Sequence, residues 1–237
     1  MKYYAIGDLH GRYDLLEKAS WKIADDAKAD PYRVITLGDY IDRGPQSKQV
    51  IEFLMEKTKT DSRWTCLQGN HEDIAIQSIH RQLDPDWWLG NGGSDTLESY
   101  GHPEIYVGAP VYYSIIPDEH VKWMNRLPLY YETEKQVFVH AAIAGNASLE
   151  EEAKATRTDG ALYMQWMLYH PADHGGWRGK HVVHGHHQFS DGPHTWYDEK
   201  KGGHTNLDVW AYKTGRIVIG VFDDSQLHAL EYLGVTV

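Results

Sequence analysis

The sequence predicts an α/β fold in which two stacked mixed β-sheets, a β-sandwich, are flanked by α-helices. Three observations carry this reading. The first 80 residues alternate β-prone runs with helical periodicity, β-α-β-α-β-α, which requires a largely parallel sheet with helical crossovers. The last third holds short strand-like runs between Gly-, Asp- and Lys-rich turns, the pattern of a second, mixed or antiparallel sheet. Finally, three blocks of potential ligands each follow an apolar run: Asp8-Leu9-His10-Gly11, Gly38-Asp39-Tyr40-Ile41-Asp42-Arg43-Gly44 and Gly69-Asn70-His71-Glu72. They stand where parallel strands end and ligands bind.

In chain order, Tyr3 to Gly7 reads as a strand, and Tyr13 to Ala27 spaces Leu15, Leu16, Ala19 and Ile23 as one face of an amphipathic helix. Arg33 to Leu37 is a second strand. Pro45, whose fixed φ and missing N–H suit a first helical turn, opens a helix to Lys59 with Val50, Ile51, Phe53 and Leu54 on or near its buried face. Trp64 to Leu67 is a third strand. Pro117 to Leu127 reads as a helix, followed by a hairpin of Tyr130 to Glu132 and Val137 to His140 around Thr133-Glu134-Lys135-Gln136. Ala153 to Tyr169 is mostly helical. The final strands are His181 to His184, His194 to Tyr197, Thr205 to Leu207, Ile217 to Phe222 and Leu227 to Leu233. Pro171 to Lys180, with its glycines and Trp177, is expected to be an irregular, mobile loop. No internal repeat or low-complexity segment interrupts the chain, and one domain over residues 1–237 is expected.

Composition narrows the function. A chain of 237 residues, 41% hydrophobic and 24% charged, can bury an ample core. The formal net charge of -11 argues against a nucleic-acid polymer as partner, because such affinity comes largely from Lys and Arg neutralising phosphates. No run approaches the roughly 20 apolar residues that span a bilayer, so no membrane partner is expected. The Met1-Lys2-Tyr3-Tyr4 start runs straight into a strand and leaves no room for a signal peptide, which predicts a soluble, cytoplasmic protein. The single cysteine, Cys66, lies in an apolar run and is expected in the core. A cysteine phosphatase loop needs an arginine six positions after the thiol, and that position holds Glu72.

The three blocks offer a mixed oxygen and nitrogen donor set, better suited to manganese, iron or zinc than to calcium. Asp8 and His10 are two apart, so on extended backbone they point to the same face and pair on one ion. Asp39 has two oxygens with which to bridge two ions. Asn70 would ligate through its amide oxygen. Gly11, Gly38, Gly44 and Gly69 flank these residues where the backbone must turn sharply or approach closely.

The ordered set GDLHG, GDYIDRG and GNHE, followed by Val137-Phe138-Val139-His140-Ala141 and Val183-His184-Gly185-His186, resembles the calcineurin-like metallophosphoesterases. Within them it is similar to the phosphoprotein phosphatase branch, in particular to compact bacterial and bacteriophage enzymes of the lambda type. Trp88-Leu89-Gly90-Asn91-Gly92-Gly93 with Thr96-Leu97 and Ser99-Tyr100-Gly101 resembles a segment of the bacterial members. The resemblance runs from Tyr3 to about His186, and more faintly to Leu233. It implies a dinuclear centre at the strand ends: Asp8 and His10 on the first ion, Asp39 bridging, and Asn70, His140 and His186 on the second. It implies two divalent cations, manganese first with iron and zinc as alternatives, that polarise a phosphoryl oxygen and supply hydroxide for in-line attack without a phosphoenzyme. His71 would be the general acid, oriented by Asp42, and Arg43 would clamp the phosphate together with Asn70. The family's second phosphate-binding arginine aligns with Leu168 here, so either Arg157 or Arg178 substitutes or the phosphate is held more loosely; His187 replaces the usual threonine after Gly-His.

Taken singly, several of these residues read otherwise. His140 alone would be a satisfied strand-end histidine, and it is the preceding motifs in order that make it a ligand. His184 and His187 read as neighbours of the centre rather than direct ligands. Trp87, Trp88 and Tyr100 read as core aromatics before substrate-stacking ones, and Glu150-Glu151-Glu152 as a solvated helical face. Two substrate classes share the expected site: phosphoserine, phosphothreonine or phosphotyrosine in a phosphoprotein or a small phosphate ester, and a dinucleoside polyphosphate such as diadenosine tetraphosphate. A third reading, a regulatory metal-binding protein with a degenerate site, is disfavoured because all six ligand positions and His71 are filled.

Overall fold

The structure, a computed structural model, describes residues 1–102, 113–143, 147–158, 163–166, 175–198 and 201–237. β1 (Lys2–Ile6), α1 (Tyr13–Ala27), β2 (Tyr32–Thr36), α2 (Ser47–Thr60), β3 (Trp64–Cys66) and α3 (Asn70–Ile79) give the expected alternation. α2 starts at Ser47 rather than Pro45 because the preceding turn is tied elsewhere: Gly44 N donates to Asp42 O at 2.7 Å and Gln46 N to Gly11 O at 2.9 Å. Next come α4 (Pro85–Trp88), a π-helical turn (Leu89–Gly93) and α5 (Ser94–Ser99), for which periodicity predicted no element. Asp84 caps α4, its carboxylate accepting the Asp86 N–H at 3.0 Å.

α6 (Asp118–Arg126) and the hairpin of β4 (Tyr130–Glu132) and β5 (Gln136–Val139) lie where expected. The helix expected from Ala153 begins earlier, as α7 (Leu149–Thr158), because Ser148 and Glu151 form a capping box: Ser148 Oγ accepts the Glu151 N–H at 3.2 Å and the Glu151 carboxylate accepts the Ser148 N–H at 2.9 Å. α8 (Tyr163–Trp166) follows. The rest of the expected helix to Tyr169, Leu168 included, lies outside the described residues, as does the start of the expected Pro171 to Lys180 loop. The described part of that loop closes tightly, Trp177 and Lys180 exchanging backbone hydrogen bonds of 3.0 and 2.9 Å.

β6 (His181–His184), β7 (His194–Asp198), β8 (Gly202–Asn206), α9 (Ala211–Thr214), β9 (Arg216–Phe222) and β10 (Glu231–Thr236) complete the order. The last strand is shifted from the expected Leu227 to Leu233. Gln136 Nε2, reaching over from the other sheet, donates to the carbonyls of Gln226 and Leu227 at 2.8 and 3.2 Å. Pairing with β9 therefore begins only at Glu231, opposite Val221.

The strands form two five-stranded mixed sheets, β10-β9-β1-β2-β3 and β4-β5-β6-β8-β7. Alternation along β1 divides its side chains between two cores. Tyr3 and Ala5 join Ile35, Leu37, Leu67, Phe138, Val183, Leu207 and Phe222 between the sheets. Tyr4 and Ile6 join Leu15, Leu16, Ile23, Val50 and Leu54 beneath α1 and α2. On the far face of the second sheet, Val137, Val139 and Val182 pack with Leu149, Met164 and Trp177. Cys66 is buried in the helix-side core, and burial pushes its thiol up to about 12, consistent with a packing role. Among the described residues, no helix is long and apolar enough to cross a membrane.

His181, at the start of β6, is buried, with Nε2 facing Thr205 Oγ1 at 2.8 Å and Nδ1 without a partner. Burial first, then His204 and His228, push its pKa down to about 3. The folded protein thus binds fewer protons than the unfolded chain between that value and about 6.5; the stabilisation is complete above the unfolded pKa and is lost as pH falls. Acidification from pH 7 to pH 5 is expected to cost the wild type about 2 kcal/mol more than His181→Gln, measured by urea unfolding. Parallel pH dependences would exclude His181 as the titrating group.

Candidate metal centre and active site

β1, β2 and β3 of the first sheet, and β5, β6 and β8 of the second, are parallel within their sheets. The loops leaving their carboxyl ends converge. Backbone bonds stitch them together: Leu9 N and His10 N donate to Asp39 O at 3.0 and 2.8 Å, and Gly185 N to His140 O at 2.8 Å. Six non-glycine residues of these loops adopt left-handed backbone, His10 (φ 41°), Asp39 (53°), Asp42 (72°), Arg43 (67°), His186 (66°) and Trp210 (64°). Such conformations cost of order 1–3 kcal/mol each and persist where the surroundings over-determine them. Gly69 and Gly185 make room, since a Cβ on either would collide with Asp39 Oδ1 or Asp8 Oδ1 respectively.

Glu72 holds two loops at once. Its Oε2 accepts the N–H groups of Asp39 and Gly69, both at 2.9 Å, and its Oε1 that of Tyr40 at 2.8 Å. Asp39 is thereby aimed into the centre, where Oδ1 also accepts the His71 N–H at 3.0 Å. His140 Nε2 lies 3.4 Å from Asp39 Oδ1, and His10 Nε2 and His71 Nε2 lie 3.7 and 3.9 Å from Oδ2. Two donor groups result, His10–Asp39–His71 and Asp39–His140–His186, with ligand atoms within 4.8 Å of one another in each. Asp39 belongs to both.

Hydrogen bonds to carbonyls set the imidazoles. His10 Nδ1 faces Ile41 O at 2.9 Å and must carry the proton, which leaves the Nε2 lone pair to accept from Arg43 Nη1 at 2.9 Å. His140 Nδ1 donates to Leu37 O at 2.9 Å, while Nε2 faces Asn70 Oδ1 at 2.9 Å. Burial opposes a charge on His140, yet Asp39 overcomes it and raises the pKa to about 10. Asp39 itself, against the cost of burial, is held well below the carboxylate range by His140 and His71. Burial and then Asp208 drive Asp8 well above it. Burial and Asp39 bring Glu72 up to about 7.

The sequence-predicted residues are placed as follows. Asp39, Asn70, His140 and His186 come together at the centre. Asp8 joins them through His186, whose N–H it accepts on both oxygens at 3.1 and 3.2 Å, and His71 stands beside His10 in the first donor group. His71 Nδ1 lies 2.6 Å from Asp42 Oδ2 as expected. A cavity of about 360 Å³ opens onto the centre, lined by Asp39, Arg43, Asn70, His71, Asn91, His186, His187 and Gln188. Arg178 is not brought there. It precedes β6, at the end opposite His186, with its guanidinium 4.8 Å above the Trp177 ring. Arg157 lies on α7, and its side chain is outside the described residues. Of the aromatics read as core residues, Trp88 is fully buried with its indole on Asp42 and Tyr100 is half-buried with its OH 2.7 Å from His120 Nδ1, whereas Trp87 is exposed.

Sequence reasoning missed Asp208. It stands two residues past β8, as Asp8 stands two past β1, so a strand followed by an acid was the available signal. Asp208 is buried; one oxygen accepts the Trp210 N–H at 2.8 Å and the other, Oδ2, has no partner among the described residues. Burial raises its pKa to about 6. Buried carboxyl groups Asp8, Asp39 and Asp208, one with an unpartnered oxygen, beside imidazole nitrogens and an amide oxygen, fit divalent cations of borderline character.

The two donor groups suit metal ions and lie at the strand ends of an α/β sandwich. The family model for calcineurin-like phosphoesterases matches residues 1–219, and the chain belongs to that family. Serine/threonine-protein phosphatase 2 of Escherichia coli (strain K12) is 34% identical over 90 residues, 38% of this chain and 38% of its own. The symmetrical bis(5'-nucleosyl)-tetraphosphatase of Nitrosococcus oceani is 28% identical over 204 residues, 85% of this chain and 61% of its own. The chain thus spans less than two thirds of the length of these curated relatives. A solved protein serine/threonine phosphatase from Saccharomyces cerevisiae shares the fold, with a TM-score of 0.67 at 15% identity over 100% of this chain and 80% of its own.

Glu72→Gln replaces one carboxylate oxygen by an amide that faces N–H donors. It is expected to destabilise the protein by about 2–4 kcal/mol in urea unfolding, through lost charge-assisted bonds to Asp39, Tyr40 and Gly69. A change below about 0.5 kcal/mol would mean that the two loops do not depend on this brace.

Proposed function

We propose that this chain is a metal-dependent phosphomonoesterase acting on phosphoserine or phosphothreonine, and also on phosphotyrosine, in proteins. The observation that supports it most directly is the place of Asp39, one carboxylate shared by two donor groups beside the His71–Asp42 pair and the Arg43 guanidinium in one cavity. Asp8, His10, Asp39, Asn70, His140 and His186 would hold two divalent cations, with manganese as the first choice and iron or zinc as alternatives. When bound, the cations supply Lewis acidity toward the phosphoryl oxygens.

The chain's own residues do the rest. Arg43 binds two phosphate oxygens through its planar fork, leaving His10 Nε2 free as it turns toward substrate. Asn70 orients the phosphate from the opposite wall of the cavity. Asp42 holds the His71 Nδ1–H, so that Nε2 points into the cavity and gives its proton to the leaving oxygen. Burial disfavours charge on His71, but Asp39 and Asp42 outweigh it and raise its pKa, which favours the protonated form an acid needs.

A second reading keeps the site and changes the substrate to diadenosine tetraphosphate. It is favoured by one observation: the tetraphosphatase relative matches 85% of this chain, the protein phosphatase relative 38%. The test is kcat/KM for a phosphopeptide panel against diadenosine tetraphosphate, on protein stripped by chelator and reloaded with manganese. Turnover of both only after reloading is expected, with a ratio above one; a ratio below one moves the assignment to the nucleotide, and no turnover of either overturns both readings. Asp39→Asn is expected to lower turnover at least a hundredfold and to cut the bound manganese measured by elemental analysis. Unchanged stoichiometry and rate would remove Asp39 from the centre.

A further inference from the structure

We propose that Trp88 and Thr96 are positioning residues for His71: together they fix the plane of the Asp42 carboxylate and, through it, the aim of the imidazole. The inference rests on the function proposed above.

Among the described residues, the His71 ring makes one hydrogen bond, from Nδ1 to Asp42 Oδ2 at 2.6 Å. A carboxylate free to turn about its last torsion would let that ring swing. Here it cannot turn. The Trp88 indole N–H bridges both carboxylate oxygens at 3.1 Å each. An indole N–H only donates, and a donor shared by both oxygens resists rotation of the carboxylate, which would carry one oxygen out of reach. Thr96 adds a second restraint. Its Oγ1 accepts the Asp42 N–H at 2.8 Å, and of the two acceptors within reach of its own proton the carboxylate oxygen Asp42 Oδ1 at 2.7 Å is nearer and stronger than Ser47 Oγ at 3.1 Å. One hydroxyl therefore ties the backbone of Asp42 to its own side chain. All four residues are essentially out of water, with Asp42 and Trp88 0%, Thr96 1% and His71 2% exposed. Hydrogen bonds to a charged acceptor in such surroundings are strong and directional.

Trp88 is itself immobilised. Its ring fits against Gly93, where a Cβ would strike the indole, and stacks with Tyr113 at 6.1 Å and 25°. The same segment reaches Arg43, whose N–H donates to Gly92 O at 3.2 Å. The 85–99 segment thus holds, from outside the centre, both the residue that aims the acid and the one that receives phosphate. A packing role alone would leave the indole nitrogen and the threonine hydroxyl without consequence; a positioning role makes these two atoms matter for one chemical step, proton delivery to the leaving group.

The test compares Trp88→Phe and Thr96→Val, which remove the donors while keeping apolar bulk, with Thr96→Ser, which restores the hydroxyl. kcat/KM is measured for an alkyl phosphate, whose leaving group needs protonation, and for 4-nitrophenyl phosphate, which does not. Trp88→Phe and Thr96→Val are expected to lose about tenfold or more on the alkyl ester and much less on the aryl ester, with Thr96→Ser near wild type. In a His71→Asn background they should add little further loss. In parallel, the downfield proton resonance of the His71 Nδ1–H, read by NMR on zinc-loaded protein, should shift or vanish in Trp88→Phe and Thr96→Val and persist in Thr96→Ser. Equal losses on both esters, losses additive with His71→Asn, or an unmoved resonance overturn the proposal. Should the wild type hydrolyse neither ester, the functional reading falls, and the resonance alone decides whether Trp88 and Thr96 hold the ring.

Discussion

The structure is governed by the need to keep carboxylates out of water at the ends of its parallel strands. An ionised carboxylate in a dry site is costly unless hydrogen-bond donors or positive charge surround it, and the buried acids here are matched very unequally. Glu72 takes three backbone N–H groups, and Asp42 takes an imidazole, an indole and a hydroxyl. These two are saturated by the protein and act as braces. Asp8 has one N–H shared between its oxygens, and Asp208 leaves one oxygen bare. Burial raises the pKa of each, with Asp208 adding to it at Asp8 and Asp39 at Asp208, and the opposing influence of His140 does not cancel it.

That arrangement ties site to scaffold. Asp8, Asp39 and His71 come from the first sheet, His140, His186 and Asp208 from the second, and they meet only while the inner core of Tyr3, Ala5, Ile35, Phe138, Val183 and Phe222 keeps the sheets in register. The left-handed backbone at His10, Asp39, Asp42, Arg43 and His186 adds a local cost that this packing must offset. Loss of inner-core volume should therefore show at the centre before it shows in secondary structure, because the strained loops have the least to spare.

What could be read in the sequence was what is local. Asp8, His10, Asp39, Asn70 and His71 follow strands with glycines beside them, and both the sheet alternation and these ligands are written within short windows. His140 and His186 were legible only through the order of motifs, since a histidine after an apolar run carries no signal of its own. What escaped depends on contacts between distant segments. Gln136 displaces the start of β10 by holding the carbonyls of Gln226 and Leu227, ninety or so positions away. Asp208 looks like any acid after a strand until its burial is known. Arg178 was expected near phosphate as a substitute for the arginine missing at Leu168, whereas the chain places it at the far end of β6 over an indole. The 85–99 segment has too few residues per turn of regular helix for periodicity to register, yet it carries the donor that meets Asp42.

On the proposed function, the donor groups around Asp39 and the His71–Asp42 pair would deal with the phosphoryl group and the leaving oxygen, features that every phosphate ester presents. Discrimination between esters must then come from the cavity walls, because specificity is a difference between affinities and a shared group contributes equally to both. The wall residues that differ in character from the centre are Asn91, His187 and Gln188. Asn91 is presented by the π-helical turn that also carries the Gly92 carbonyl bound to Arg43, so its position is coupled to the clamp. His187 and Gln188 follow His186 on a loop anchored by Asn206 Nδ2 donating to His187 O at 2.6 Å and by Phe189 N donating to Asp208 O at 3.1 Å. Both walls are thus rigidly attached to the two halves of the centre. A change of substrate preference is therefore expected to follow exchange of these three side chains, with the metal-facing residues left in place.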